Sequence, residues 1–112
     1  MSDKVAERFG LKIIEAGNGG RRGHMTIAAD MVNSVNICHG GVIFSFAQST
    51  LAALEPSVGA ADKYWKYSIT FLNSSKPGDE ITAEVSSPAT TVFDVTVKRN
   101  DGVILAEMRA IC

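Results

Sequence analysis

From residue 64 to the C-terminus, apolar and polar residues alternate. In residues 64–72, Trp65, Tyr67, Ile69 and Phe71 alternate with Lys66, Ser68 and Thr70. A period of two marks a strand with one apolar and one polar face. Ile81, Ala83 and Val85 repeat the pattern against Thr82 and Glu84 in residues 81–85, as do Phe93, Val95 and Val97 against Asp94, Thr96 and Lys98 in residues 92–98. Residues 103–111 close the chain, with Ile104, Ala106, Met108 and Ala110 expected on one face. Pro77-Gly78-Asp79 and Asn100-Asp101-Gly102 are turn sequences, and short turns between consecutive strands predict an antiparallel sheet. Upstream, residues 11–16 and 22–29 read as two strands joined through Gly17-Asn18-Gly19-Gly20. Residues 3–9 read as a short helix, with Val5 and Phe9 on one face and Gly10 as its left-handed cap.

One segment breaks this rhythm. Residues 40–54 carry no charge at all, and Pro56 stands just beyond, where it stops a helix. The spacing predicts about four helical turns. A helix apolar nearly all round is a buried one. Its polar groups are Ser45, Gln48, Ser49 and Thr50, and the i, i+3 and i, i+4 spacing of Ser45, Gln48 and Ser49 puts them on a common face. The fold class expected is therefore α+β: one domain over residues 1–112, with an antiparallel sheet wrapped around a long central helix.

Composition narrows the function classes. Eleven Lys and Arg stand against twelve Asp and Glu, a net charge of −1, so the basic excess of a nucleic-acid or membrane-surface binder is missing. No apolar run approaches the roughly 20 residues of a membrane helix, and the first seven residues show no apolar signal core. Two cysteines, Cys38 and Cys112, make no disulfide framework. They are expected as reduced thiols in a cytoplasmic protein. His24, His39, Cys38 and Cys112 have no metal-ligand spacing, so neither a metal nor a resident cofactor is expected.

The chemistry concentrates where the 31–41 loop enters the uncharged helix. Gly40 and Gly41 allow close approach of a ligand or of another backbone. The first amides of a helix lack internal partners and carry the positive end of its dipole. Amides at Gly40, Gly41 and Val42 can therefore polarise a carbonyl or hold an oxyanion. The alternative is that the glycine pair only permits tight packing.

The ordered set Asn33-x5-His39-Gly40-Gly41-x2-Phe44-Ser45-x-Ala47, then Ser68-Ile69-Thr70-Phe71-Leu72 and Pro77-Gly78-Asp79-Glu80-Ile81-Thr82-Ala83-Glu84, resembles the hotdog-fold acyl-CoA thioesterases. The subgroup it resembles is the phenylacetate-degradation type of the hydroxybenzoyl-CoA thioesterase superfamily. The resemblance spans residues 11–111. It implies a hotdog fold, an acyl-CoA thioester as substrate with coenzyme A as part of it, and a homodimer or homotetramer with sites between subunits. It implies that the Gly41 amide faces the thioester carbonyl, that His39 lies beside it, and that Asn33 lines the site. Gly40, Ser49, Ile69 and Phe71 are the expected substrate contacts.

The family's catalytic acid lies nine residues after the histidine, and here that position is Gln48. A carboxylate attacks a thioester or accepts a proton from water; a carboxamide has no basic form to do either. Three readings stay open: a non-hydrolytic binder of acyl-CoA or another small ligand, a slow hydrolase or one using another base, and a glutamine standing in for a native glutamate. Asn36 also departs, since the subgroup commonly has glycine there. Cys38 and His39 are sequence neighbours whose side chains diverge, which argues against a nucleophilic pair. No Gly-x-Ser-x-Gly elbow supports a serine hydrolase. Arg21, Arg22, Lys63 and Lys66 are candidate contacts for coenzyme A phosphates.

Overall fold

The structure, a computed structural model, describes residues 10, 12–15, 21–32, 38, 40–55, 58 and 64–112. The expected helix over residues 3–9, the turn at 17–20, and Asn33, Asn36, His39, Pro56 and Lys63 lie outside the described residues. The alternating segments form six strands: β1 (Lys12–Glu15), β2 (Arg21–Thr26), β3 (Lys66–Phe71), β4 (Glu80–Ala89), β5 (Val92–Arg99) and β6 (Ile104–Ile111). Between β2 and β3 lies the helix α1 (Gly40–Leu54), with the bounds expected from its uncharged run. The strands form one antiparallel sheet in the order β1-β2-β4-β5-β6-β3. This is an α+β hotdog architecture, with β1 and β3 at the sheet edges.

The register explains the two faces. Arg22 lies opposite Glu84, Glu84 opposite Thr96, and Thr96 opposite Glu107, which lies opposite Thr70; this polar row faces away from the helix. The next row, Gly23, Ala83, Val97, Ala106 and Phe71, faces it. α1 meets that inner face through Ile43, Phe46, Ala47, Thr50 and Leu51, all buried, an i, i+3, i+4, i+7, i+8 stripe. Met25, Ile81, Val95, Val97, Leu105 and Met108 complete one apolar cluster with it. Each large side chain so buried contributes roughly 1.5–3 kcal/mol. At the far end of α1 the Arg21 guanidinium donates to Leu54 O at 2.8 Å and pairs with Glu55. A cation there complements the helix dipole, and the contact ties β2 to the helix end.

Four expectations are revised. The strand expected over residues 22–29 stops at Thr26, and Ala29–Met31 turns as a 3-10 helix. β4 runs on past Val85 to Ala89, and its register shift falls between Ser86 and Ala89, where Pro88, which has no N–H to give the ladder, is tolerated. A second shift, after Val97, sets Val97 opposite Ala106 and Lys98 opposite Ile104. Leu105 is thereby the extra residue of a β-bulge and is the buried one, at 1% exposure, while Ile104 is only half-buried. Finally, α1 is not covered all round: one sheet reaches one side of it, and Gly40, Gly41 and Ala53 stay exposed.

Candidate functional site

After β3 the chain leaves the sheet and returns through a tight turn at residues 76–79. Pro77 and then Gly78, at φ +89°, occupy its centre, the arrangement of a type II turn. Asp79 N–H donates to Lys76 O at 3.1 Å, and Lys76 N–H donates to Asp79 Oδ2 at 2.8 Å. The segment before it, residues 72–75, passes the N-terminus of α1. A cleft of about 390 Å³ opens between them, with Cys38, Gly40 and Ile43 on one side and residues 71–75 on the other.

The close approach expected of the glycine pair falls on Gly40. A β-carbon there would lie 3.1 Å from Phe71 Cζ, whereas one on Gly41 would meet nothing within 4 Å. Phe71 is 51% exposed although it points to the helix side of the sheet, because β3 is an edge strand and the ring sits at the cleft. Cys38 N–H donates to Ser75 O at 2.8 Å, closing the bottom of the cleft. Burial pushes the Cys38 thiol up, partly offset by a hydrogen bond with Ser75. Cys38 therefore offers little thiolate near neutral pH. Cys38 and Cys112 form no disulfide. Among the described residues no group of His, Cys, Asp and Glu is placed to hold a metal.

The expected site residues divide into two sets. Gly40 and Phe71 meet in the cleft, whereas Ile69 packs half-buried against the core and is not among the cleft-lining residues. At 100° per residue, Gly41, Ser45, Gln48 and Ala52 fall within about 60° of one another on the side of α1 away from the sheet. None of these four is fully buried. Ser49, expected to share their face, is turned further round and is buried at 6% exposure. Phe44, on the flank between the two sets, packs edge-on against Tyr67 of β3 with ring centroids 6.0 Å apart. The Gln48 face therefore continues towards the edge of β3 that pairs with no strand among the described residues.

Comparison with known proteins identifies the lineage. No family profile matches the chain. It is 32% identical over 100 residues to acyl-coenzyme A thioesterase PaaI of Escherichia coli, covering 86% of this chain and 71% of that protein. The chain belongs to the PaaI family of acyl-CoA thioesterases. The solved structure of the E. coli PaaI protein from the phenylacetic acid degradation operon superposes with a TM-score of 0.78 at 29% identity, covering 97% of this chain and 82% of that one. A thioesterase-type protein of Streptococcus pneumoniae solved with coenzyme A shares the fold at a TM-score of 0.72 and 19% identity, covering 94% and 92%. No Asp or Glu occurs between Gly40 and Leu54. The nearest acidic residue along the chain, Glu55, is engaged by Arg21.

Sequence reasoning missed the second wall of the cleft. Residues 72–75 carry no periodicity, and their part in the site comes from contacts to Cys38 and to the β5–β6 hairpin. Among the cations offered for coenzyme A phosphates, Arg21 is committed to the end of α1, while Arg22 and Lys66 belong to strands at opposite sides of the sheet. Among the described residues no helix is long and apolar enough to cross a membrane.

Proposed function

We propose that the chain acts on a small acyl- or aryl-CoA thioester, with the thioester carbonyl at the Gly40–Gly41 end of α1 and Gln48 in the position of the catalytic acid. The observation that carries this reading is the cleft at the start of α1, with Phe71 against Gly40 and the Gly41 side open. First-turn amides there hold the charge that develops on the carbonyl oxygen when water attacks the carbonyl carbon. Collapse of that adduct breaks the C–S bond; one proton of the attacking water stays on the free acid, and the other passes through solvent to the departing sulfur, which leaves as the coenzyme A thiol. Asn33 and His39 orient the thioester, and Phe71 and Ile69 bound the acyl side, while Ser49, buried on the other side of α1, does not reach it. The fold-level likeness to a protein solved with coenzyme A supports the substrate class.

The site is completed by a second copy. Among the described residues β3 pairs on one side only, and the Gln48 face opens on the same flank of α1. A homodimer joined along β3, or a tetramer built from it, covers that face in a cytoplasmic protein whose cysteines stay reduced. A strict monomer by solution mass would refute the shared site.

A second reading rests on Gln48 itself. Its carboxamide can hold a water but cannot take its proton, which favours a slow hydrolase or a non-hydrolytic acyl-CoA binder. The test is free-thiol release from a panel of acyl and aryl thioesters, by the protein and by Gln48→Asp and Gln48→Glu. Restoring a base is worth about 10²–10⁴ in rate. Activity confined to the acidic variants identifies a disabled hydrolase. Full activity with glutamine refutes the loss, and tight binding without turnover in any form identifies the binding protein.

A further inference from the structure

The outer wall of the cleft is held by an unusual set of contacts. Leu72 and Asn73 N–H both donate to Leu105 O, at 2.8 and 3.3 Å, a carbonyl made available by the bulge in β6. Asn73 Nδ2 donates to Ile104 O at 2.7 Å. The one charged side chain that reaches a carbonyl of this wall among the described residues is Arg99, whose Nη1 donates to Ser74 O at 3.0 Å. The same guanidinium is gripped by Asp101: Nε lies 3.0 Å from both carboxylate oxygens and Nη2 lies 2.8 Å from Oδ2. Asp101 is itself fixed in the hairpin turn, where Oδ1 accepts from Val103 N–H at 3.1 Å. A rigid fork that holds a carboxylate on one side and a carbonyl on the other is a task for arginine rather than lysine.

We propose that Arg99, oriented by Asp101, is a positioning residue that clamps Ser74 and so sets the spacing between residues 71–75 and the start of α1, and with it the fit of the thioester. The clamp acts across the fold: Arg99 ends β5, Ser74 adjoins Ser75, and Ser75 O receives Cys38 N–H from the loop that enters α1. Releasing the guanidinium loosens the wall where it faces Cys38 and leaves the core cluster of α1 and the sheet untouched. The inference rests on the cleft being the thioester site, but the clamp is measurable without that assumption, because Cys38 lines the cleft and reports its opening.

The experiment uses a Cys112→Ser background, which leaves Cys38 as the one thiol. Its modification by an aromatic disulfide reagent is timed under native conditions for the parent and for Arg99→Gln, Arg99→Lys and Asp101→Asn. Loss of one charge-assisted hydrogen bond is expected to raise the Cys38 rate about five- to tenfold in Arg99→Gln, through local opening. Asp101→Asn should give a smaller rise and Arg99→Lys a partial rescue, with urea midpoints close to the parent's. In parallel, the KM for an acyl-CoA thioester, measured in the Gln48→Asp form if the glutamine form is inactive, should rise several-fold in Arg99→Gln at nearly constant kcat. Unchanged Cys38 rates in both Arg99→Gln and Asp101→Asn overturn the clamp. So does a rise matched by a proportional fall in the urea midpoint, since that is global loosening. Altered labelling in a protein that neither binds nor hydrolyses thioesters refutes the functional reading while leaving the clamp standing.

Discussion

Thr50 should be a poor threonine and a good valine. It lies in the middle of the buried stripe of α1 at 0% exposure, and its Oγ1 has no hydrogen-bond partner among the described residues. A threonine on a helix usually returns its hydroxyl to the carbonyl one turn earlier, and this one does not. An orphaned buried polar group costs about 1–3 kcal/mol. Valine has nearly the same shape and helix propensity, and it replaces the hydroxyl with a methyl that the surrounding Phe46, Ala47 and Leu51 can receive. Thr50→Val is therefore expected to stabilise the fold by about 1–2 kcal/mol. That corresponds to a rise in Tm of roughly 4–8 °C for a domain of this size. Urea unfolding at fixed protomer concentration measures it, with an unchanged m-value showing that the effect lies in the native packing. Thr50→Ser is the matched control: it keeps the hydroxyl, removes the methyl and should destabilise by about 1 kcal/mol. A Thr50→Val variant less stable than the parent would show that the hydroxyl is bonded and refute the reasoning.

Four other substitutions test three separate parts of the structure. Gly41→Ala meets no atom within 4 Å and should keep or slightly raise the Tm, while its methyl beside the first-turn amides lowers thioester turnover; unchanged turnover would remove Gly41 from the site. The bulge makes Leu105, not Ile104, the core residue, so Leu105→Ala should cost about 2–4 kcal/mol in urea unfolding and Ile104→Ala about 1 kcal/mol or less; comparable losses would place the bulge elsewhere. Asp94 accepts Arg109 Nε at 2.7 Å and Nη2 at 2.9 Å, and this bonding holds its carboxyl below the usual aspartate range. A carboxyl lowered by folding contributes stability above its unfolded pKa and loses it as pH falls through the folded one. Asp94→Asn should accordingly lower the urea midpoint slightly at pH 7, with the gap closing in acid; a pH-independent gap would mean the pair contributes no charge stabilisation.

The short-range features of this chain are legible in the order of its residues. The uncharged run at 40–54, with the Gly-Gly start and Pro56 beyond, marks the bounds of α1, because helix limits depend on residues a few positions apart. The alternation in β3, β5 and β6 and the turns at 77–79 and 100–102 place those strands, for the same reason. Gln48 stands out equally early, since its spacing from His39 is a matter of counting. The site is less legible. Ser49 reads as sharing the face of Gln48 through its spacing from Ser45, yet the roughly 100° step from Gln48 to Ser49 carries it into the interior. Phe71 reads as another inward strand residue, and its place at the end of an edge strand turns it into a cleft wall.

The remainder depends on pairing between distant segments. Alternation puts Ile104 in the core, but one extra residue in β6 opposite β5 hands that place to Leu105 and frees the Leu105 carbonyl for the cleft wall. Arg99 and Asp101 look like ordinary hairpin charges until the fold brings Ser74 beside them. The open face of α1 is likewise set by how far a single sheet can wrap a cylinder, not by the composition of the helix. A period of two or 3.6 says which way a side chain faces within its own element. Which partner it meets depends on strand order, register and bulges, and these are settled only when segments dozens of residues apart satisfy one another's hydrogen bonds.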